Sequence, residues 1–319
     1  MKRNAPFLSL IAALALYAIA GCERAADDAG TTPSQAHQEM VRLLREENNL
    51  EPVTRAFDRT LWIYLPVEES LLQLKAGQKG AQSSAEPAVK PVLKFLDSAF
   101  DGGSFHITYD ITPEKGYPKS YGYESAFTEK YQQDQRNILT AVYRAFGHFQ
   151  EPAAGGAAAQ GAPDFFVIII ADIVNGLEAR VTLYLGDLIR AYSDPGFYEE
   201  YTRRIVSEQP TGGQEMIGDR DGRHAGFRDL TWREFLAKQM LHRITFKYQQ
   251  SAFPPSDDAR REILSAAADT VAAYGFKDFQ SVVLQDLAAG TKLEVPQIDL
   301  AGYTAADSSP GRLIHIKFQ

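Results

Sequence analysis

The sequence predicts an α+β fold: a mainly antiparallel sheet with hairpins, packed by several amphipathic helices. Three observations lead there. Phe165 to Ile170 is an almost wholly apolar, β-branched run, and after Asn175-Gly176 the residues Leu177, Ala179, Val181, Leu183 and Leu185 alternate with Glu178, Arg180, Thr182 and Tyr184. Ser281–Leu287 and Lys292–Val295 frame a second hairpin around Ala289-Gly290. Between these segments lie stretches of helical spacing, the longest being Phe127–Phe149. Asn-Gly is a favoured two-residue hairpin turn because both positions tolerate positive φ. The pattern predicts a first strand covered on both faces and a second covered on one.

Taken in order, Gln35–Asn49 sets Met40, Leu43 and Leu44 among charges, which predicts an amphipathic helix. Thr60–Pro66 reads as a strand ended by proline. Lys75–Pro87, rich in Gly, Gln and Ser, reads as a loop or insertion. Val89–Phe100 carries apolar residues at 92, 93, 95, 96 and 100, a helical spacing closed by the turn Asp101-Gly102-Gly103. In Phe105–Ile111 odd positions are apolar and even ones polar, a half-buried strand. In Phe127–Phe149 the apolar face is Phe127, Tyr131, Ile138, Leu139, Val142, Tyr143, Phe146 and Phe149. Glu151–Pro163 is a low-complexity connection. Its Gly156 and Gly161 have P-loop spacing, but Ala162-Pro163 stands where lysine and a hydroxyl residue belong.

Asp194-Pro195 predicts a capped helix to about Val206. Gln209–Gly226 is turn-rich. Thr231-Trp232-Arg233-Glu234 is a capping box that opens a helix with Phe235, Leu236 and Met240 buried. Ile244, Phe246 and Tyr248 alternate as a strand, Ser256–Tyr274 reads as a helix closed by Gly275, and Leu313–Phe318 as a last strand. No internal repeat is visible. The organisation expected is a leader over 1–21, a flexible tether over 22–34 and one globular domain over 35–319, with flexible insertions near 75–87 and 151–163.

The 319 residues are 45% hydrophobic and 23% charged, with a net charge of -8. That balance is ordinary for a globular protein. The acidic excess argues against nucleic acid, whose binding needs a basic surface. Cys22 is the only cysteine, so no internal disulfide and no thiolate metal cluster can form.

The N-terminus carries the most specific signal. Lys2 and Arg3 precede an apolar run from Phe7 to Ala20, and small residues follow, as in a secretion signal. The run is shorter than the roughly 20 residues a membrane span needs. Ile19-Ala20-Gly21-Cys22 resembles the lipobox of bacterial lipoproteins. The resemblance covers this segment alone. It implies cleavage before Cys22, lipidation of its thiol and acylation of its new amino group, so that the membrane partner is reached through lipid. Each buried methylene adds about 0.8 kcal/mol, and more than one chain is needed for stable anchoring. In that class an aspartate after the cysteine often retains the protein in the inner membrane. Glu23 stands there instead, which points to the outer membrane, facing the periplasm.

Among polar constellations, Gly218-Asp219-Arg220-Asp221-Gly222-Arg223-His224 is the densest. His224, Asp219 and Asp221 have the residue types of a catalytic dyad or a hard-cation loop. The stretch lacks the ligand steps and closing glutamate of a calcium loop, and Asp-Gly sequences also make ordinary turns. His106 and Asp110 share the polar face of one expected strand. Tyr117, Tyr121 and Tyr123 form a tyrosine-rich loop suited to a protein or glycan partner. No zinc helix, nucleophile elbow or cofactor motif is present, and no cofactor is expected. The leading expectation is a non-catalytic binding or assembly lipoprotein. Beside it stand an envelope hydrolase with a His/Asp site and a periplasmic solute-binding protein, whose parallel-sheet lobes fit the hairpins poorly.

Overall fold

The computed structural model describes residues 32–76, 89–115, 123–149, 161–249 and 258–304. In chain order the elements are α1 (Pro33–Arg42), β1 (Val53–Ala56), β2 (Thr60–Val67), β3 (Leu72–Ala76), β4 (Val89–Asp101), β5 (Ser104–Lys115) and β6 (Tyr123–Phe127). Then come α2 (Glu129–Phe146), β7 (Phe165–Asp172), β8 (Leu177–Tyr184), α3 (Leu185–Ser193), α4 (Tyr198–Arg204), β9 (Val206–Ser207) and β10 (Thr211–Gly212). The chain continues with α5 (Trp232–Gln249), α6 (Ala259–Ala273), β11 (Ser281–Asp286), β12 (Thr291–Pro296) and α7 (Gln297–Leu300). The fold is α+β, as the patterning predicts. It divides into two compact units, Met1–Gln73 with Ser125–Pro152 and Ala158–Asp229, and Leu74–Glu124 with Ala153–Ala157 and Leu230–Gln319.

In the first unit the strand order is β1-β2-β7-β8-β10, with β9 also on β8. β2 and β7 run parallel, and the other pairs are antiparallel. Every residue of β7 is buried, because it is the central strand and apolar groups cover both of its faces. On one face Ile63, Phe166, Ile168, Val181 and Leu183 pack with Met40 and Leu44 and with Ile138, Val142 and Phe146 of α2. Each such side chain contributes roughly 1.5–3 kcal/mol by leaving water. Local signals start the helices. Thr32 and Gln35 form a reciprocal capping box at α1, and Thr128 Oγ1 accepts from Tyr131 N at α2. On the other face Trp62, Tyr64, Val167, Ile169 and Ala171 meet Ala225 and Phe227.

In the second unit the order is β4-β5-β11-β12, with β5 and β11 parallel and both outer pairs antiparallel. Phe105, Ile107 and Tyr109 are buried, as their alternation predicts. The four central strands of the two sheets share one order: a hairpin, then a second hairpin that joins the first through a parallel pair, with α2 between the hairpins in the first unit, α5 and α6 between them in the second, and a helix directly after the last strand of each. This repeat is not visible in the sequence, since strand direction and order leave no residue signature.

Three expectations are corrected. Val89–Phe100 is strand β4, not a helix. It pairs with β5 from Asp101↔Ser104 to Val89↔Lys115, with a register shift between Leu93 and Phe95. That bulge interrupts the period-two pattern, which is why the apolar spacing imitates a helix. Ile244, Phe246 and Tyr248 lie in α5, which starts at the capping box and runs through Gln249. Thr231 N donates to Glu234 Oε2 at 2.9 Å, and Glu234 N donates to Thr231 Oγ1 at 3.2 Å. Phe165–Leu185 does form the expected ribbon, but Asp172↔Leu177 closes it, so the loop is the four residues 173–176. Only Gly176 there takes positive φ, at 64°, while Asp172 Oδ1 accepts from Val174 N and Asn175 N. The two-residue hairpin turn with two positive φ angles is Gly102-Gly103, at 54° and 86°. The expected strand Leu313–Phe318 lies outside the described residues.

Candidate functional site

The site begins with strand alternation. β8 turns Ala179, Val181 and Leu183 toward the helices, so Glu178 and Arg180 point to the opposite face. That face is not open to solvent. Residues 213–229 pass over it and are fastened along their length. Gly213 N donates to Gly176 O at 2.9 Å and Gly218 N to Ile173 O at 2.8 Å. Tyr64 Oη donates to Asp219 O at 2.5 Å, Trp62 Nε1 to Arg228 O at 2.6 Å and Thr60 Oγ1 to Asp229 Oδ1 at 2.9 Å. Gly222 has φ 69°, and a Cβ there would lie 2.9 Å from the Tyr64 ring and 2.7 Å from Phe227. Glycine is required twice over at that point, by the backbone and by the space.

The strap sets His224 between two carboxylates. Its Nδ1 lies 2.6 Å from Asp219 Oδ2, and its Nε2 lies 2.8 Å from Glu178 Oε2. The three side chains are 7%, 9% and 5% exposed, so the contacts are sheltered from competing water. Ionised carboxylates only accept, so between two of them both ring nitrogens donate, and the geometry favours the imidazolium over either neutral tautomer. Burial by itself depresses the imidazole pKa, but the hydrogen bonds to Glu178 and then Asp219 outweigh it, and the net shift is upward. Burial likewise raises Asp219, but bonds from the His224 ring and from His224 N and Asp221 N carry it below its ordinary value. Glu178 Oε1 accepts from Arg180 Nη2 at 3.0 Å. The Arg180 guanidinium lies 5.7 Å from the Trp62 ring centroid. Two carboxylates, one imidazolium and one guanidinium make the cluster neutral, which is what burial requires.

Of the sequence candidates, His224 and Asp219 therefore meet, and Asp221 does not join them. Its carboxylate pairs with Arg223, and both side chains are exposed. Glu178 and Arg180 were missed. They lie 46 and 44 residues before His224, and alternation marks them only as the polar side of β8. His106 and Asp110 occupy one face of β5 but stand four residues apart, roughly 13 Å along a strand. They do not form a dyad. Tyr117 and Tyr121 lie outside the described residues, as does Cys22, while Tyr123 opens β6.

The arrangement has limited chemistry. A ring with both nitrogens donating has no lone pair for a proton, so it is not a general base in this state. Among the described residues no group of three or more His, Cys, Asp or Glu side chains is placed to hold a metal ion. A separate cleft of about 260 Å³ lies beside α1, near His37, Phe57, Leu61 and Phe146. His37 is held there by Thr54 Oγ1 at 2.8 Å, and burial lowers its pKa. Among the described residues no second titratable side chain lines the cleft. Compared with protein-family models, curated proteins and solved structures, the chain matches none.

Proposed function

We propose that the protein is an envelope lipoprotein, anchored through acyl chains on Cys22 and tethered by residues 22–34. Its folded part faces the periplasm from the outer membrane as a non-catalytic binding or assembly component. The observation that carries this is the run Lys2-Arg3, Phe7–Ala20 and Ile19-Ala20-Gly21-Cys22 with no other cysteine in the chain. Among the described residues no helix is long and apolar enough to cross a membrane, so lipid is the attachment this reading calls on. The state of His224 supports the non-catalytic half, because its polar valences are consumed inside the cluster.

The test of the anchor is Cys22→Ala. The parent chain is expected in the membrane pellet and the variant in the soluble fraction, with Cys22 lipidated on its thiol and acylated on its amino group found by mass spectrometry of the N-terminal peptide of the parent. Equal fractionation of the two, or an unacylated peptide, refutes the anchor. A hydrolase is the second reading, favoured by the 2.6 Å contact of His224 with Asp219. It requires Glu178 to vacate Nε2. Hydrolysis of a chromogenic ester by the parent and not by His224→Gln would put it first.

A further inference from the structure

Residues 213–229 are held to the first sheet by polar contacts more than by apolar burial. Their buried apolar side chains are Met216 and Ala225, and Phe227 is partly buried against Trp62. A segment with so little apolar contact lies at the low end of local stability, and it can open without unfolding the sheet beneath it. Its ends are anchored by the backbone N–H groups of Gly213 and Gly218 and by the Asp229 carboxylate, which accepts from Arg59 N and Thr60 Oγ1. Its middle is tied by Tyr64 Oη, by Trp62 Nε1 and by two ion pairs, His224 with Glu178 and Arg220 with Glu68. The second pair is 66% and 64% exposed, so solvent screens it and it contributes little. The first is buried, and it is the charge lock of the strap.

The charged and titratable groups around the ring come from three places. β8 supplies Glu178, with Arg180 bonded behind it. β2 supplies Tyr64, whose ring centroid lies 5.7 Å from that of His224. Burial, then Asp219, Glu178 and Asp221, push the Tyr64 hydroxyl well above its ordinary pKa, so it stays a donor to Asp219 O. The strap itself supplies Asp219, and Asp221, which is exposed and paired with Arg223. Of these side chains the imidazole is the one whose ordinary titration lies near neutrality. When it loses a proton and keeps Nδ1–H on Asp219, the lone pair of Nε2 faces the Glu178 carboxylate. The repulsion then falls across the junction of strap and sheet, since Asp219 belongs to the strap and Glu178 to β8. We propose that the strap is a pH-operated latch, closed while His224 is protonated and released between residues 219 and 228 when it is not, baring Trp62, Tyr64, Glu178 and Arg180. Closure raises the pKa of the ring, so the open fraction is lowest below about pH 6.5, climbs above it by at most about tenfold per pH unit, and levels off past the closed-state value.

The test is limited digestion of the full-length chain by trypsin in neutral detergent at pH 6.5 and 8.5, with cleavage after Arg223 followed by mass spectrometry. Each rate is divided by that of a free peptide of the same residues 216–227 at the same pH, which removes the pH response of the protease. When opening and closing outrun cleavage, this ratio follows the open population. For the parent it is expected to rise at least about threefold between the two pH values, one proton setting a ceiling of about a hundredfold. His224→Gln is expected to be cut at pH 6.5 at least as fast as the parent at pH 8.5, with no change beyond about twofold between the two. Glu68→Gln, which removes the exposed pair on the same strap, is expected to keep the rise of the parent within about twofold. A parent ratio that is flat with pH overturns the proposal, and this arm needs no variant to fold. So does a rise that persists in His224→Gln, or cleavage after Arg136 in α2 and Arg180 in β8 that rises in step, which would mean that the whole unit unfolds. The latch does not involve Cys22, so it stands or falls apart from the anchor.

Discussion

Replacing His224 with glutamine tests the account of the buried cluster most directly. The amide can donate to Asp219 or to Glu178 but carries no charge. Glu178 keeps Arg180, and Asp219 keeps the backbone N–H groups of residues 221 and 224, so neither carboxylate is wholly abandoned. Breaking a buried ion pair costs about 3–5 kcal/mol, and these residual bonds place the loss at the lower end, about 3 kcal/mol. The assay is urea unfolding followed by circular dichroism, with the slope compared between proteins to confirm that the same surface unfolds. The pH profile gives the sharper readout. His224 has a raised folded pKa, so its contribution is complete below about pH 6.5 and disappears as pH rises through the folded value. Asp219 has a lowered folded pKa, so its contribution is complete above about pH 3.9 and disappears as pH falls through the folded value. The parent should show a plateau between these limits, and His224→Gln should lose the alkaline slope. A loss below about 0.5 kcal/mol, or an unchanged alkaline slope, would refute the imidazolium between two carboxylates.

Two further substitutions probe the local signals. Gly222→Ala should cost more than about 2 kcal/mol, since left-handed backbone alone costs about 1–2 and the new methyl meets the Tyr64 ring. Chemical denaturation followed by tryptophan fluorescence, to which Trp62 and Trp232 both contribute, reads it, and a change under about 0.5 kcal/mol would contradict the tight approach of the strap. Thr231→Ala should cost about 1 kcal/mol by removing the side-chain cap from α5, measured as a fall in the unfolding midpoint. A neutral result would mean that the start of α5 is set by tertiary packing instead.

Much of the local structure was legible because its causes are local. Thr231 and Glu234 cap α5 within four residues, Asp194 caps the turn at Pro195 through Gly196 N, and Gly275 closes α6 with φ 61°. The helix Glu129–Phe146 follows from a single apolar stripe that one sheet face can cover. The failures share a different cause. β4 imitates a helix because a bulge resets its alternation, and the bulge exists only opposite β5. Ile244 to Tyr248 imitates a strand because three alternating residues are too few to tell the two periods apart. Glu178 looked solvent-facing because nothing near it in the chain announces that residues 213–229 will cover it.

By itself, then, the sequence determined the fold class, the caps and the candidacy of His224 with Asp219. Those depend on residues within a few positions of one another. Only the tertiary structure decided that β2 and β5 each take a parallel neighbour, that the two sheets repeat one topology, and that His224 is clamped by Glu178 rather than free to act. Those depend on meetings between distant segments, where the free energy lies in the pairing and neither partner carries it alone.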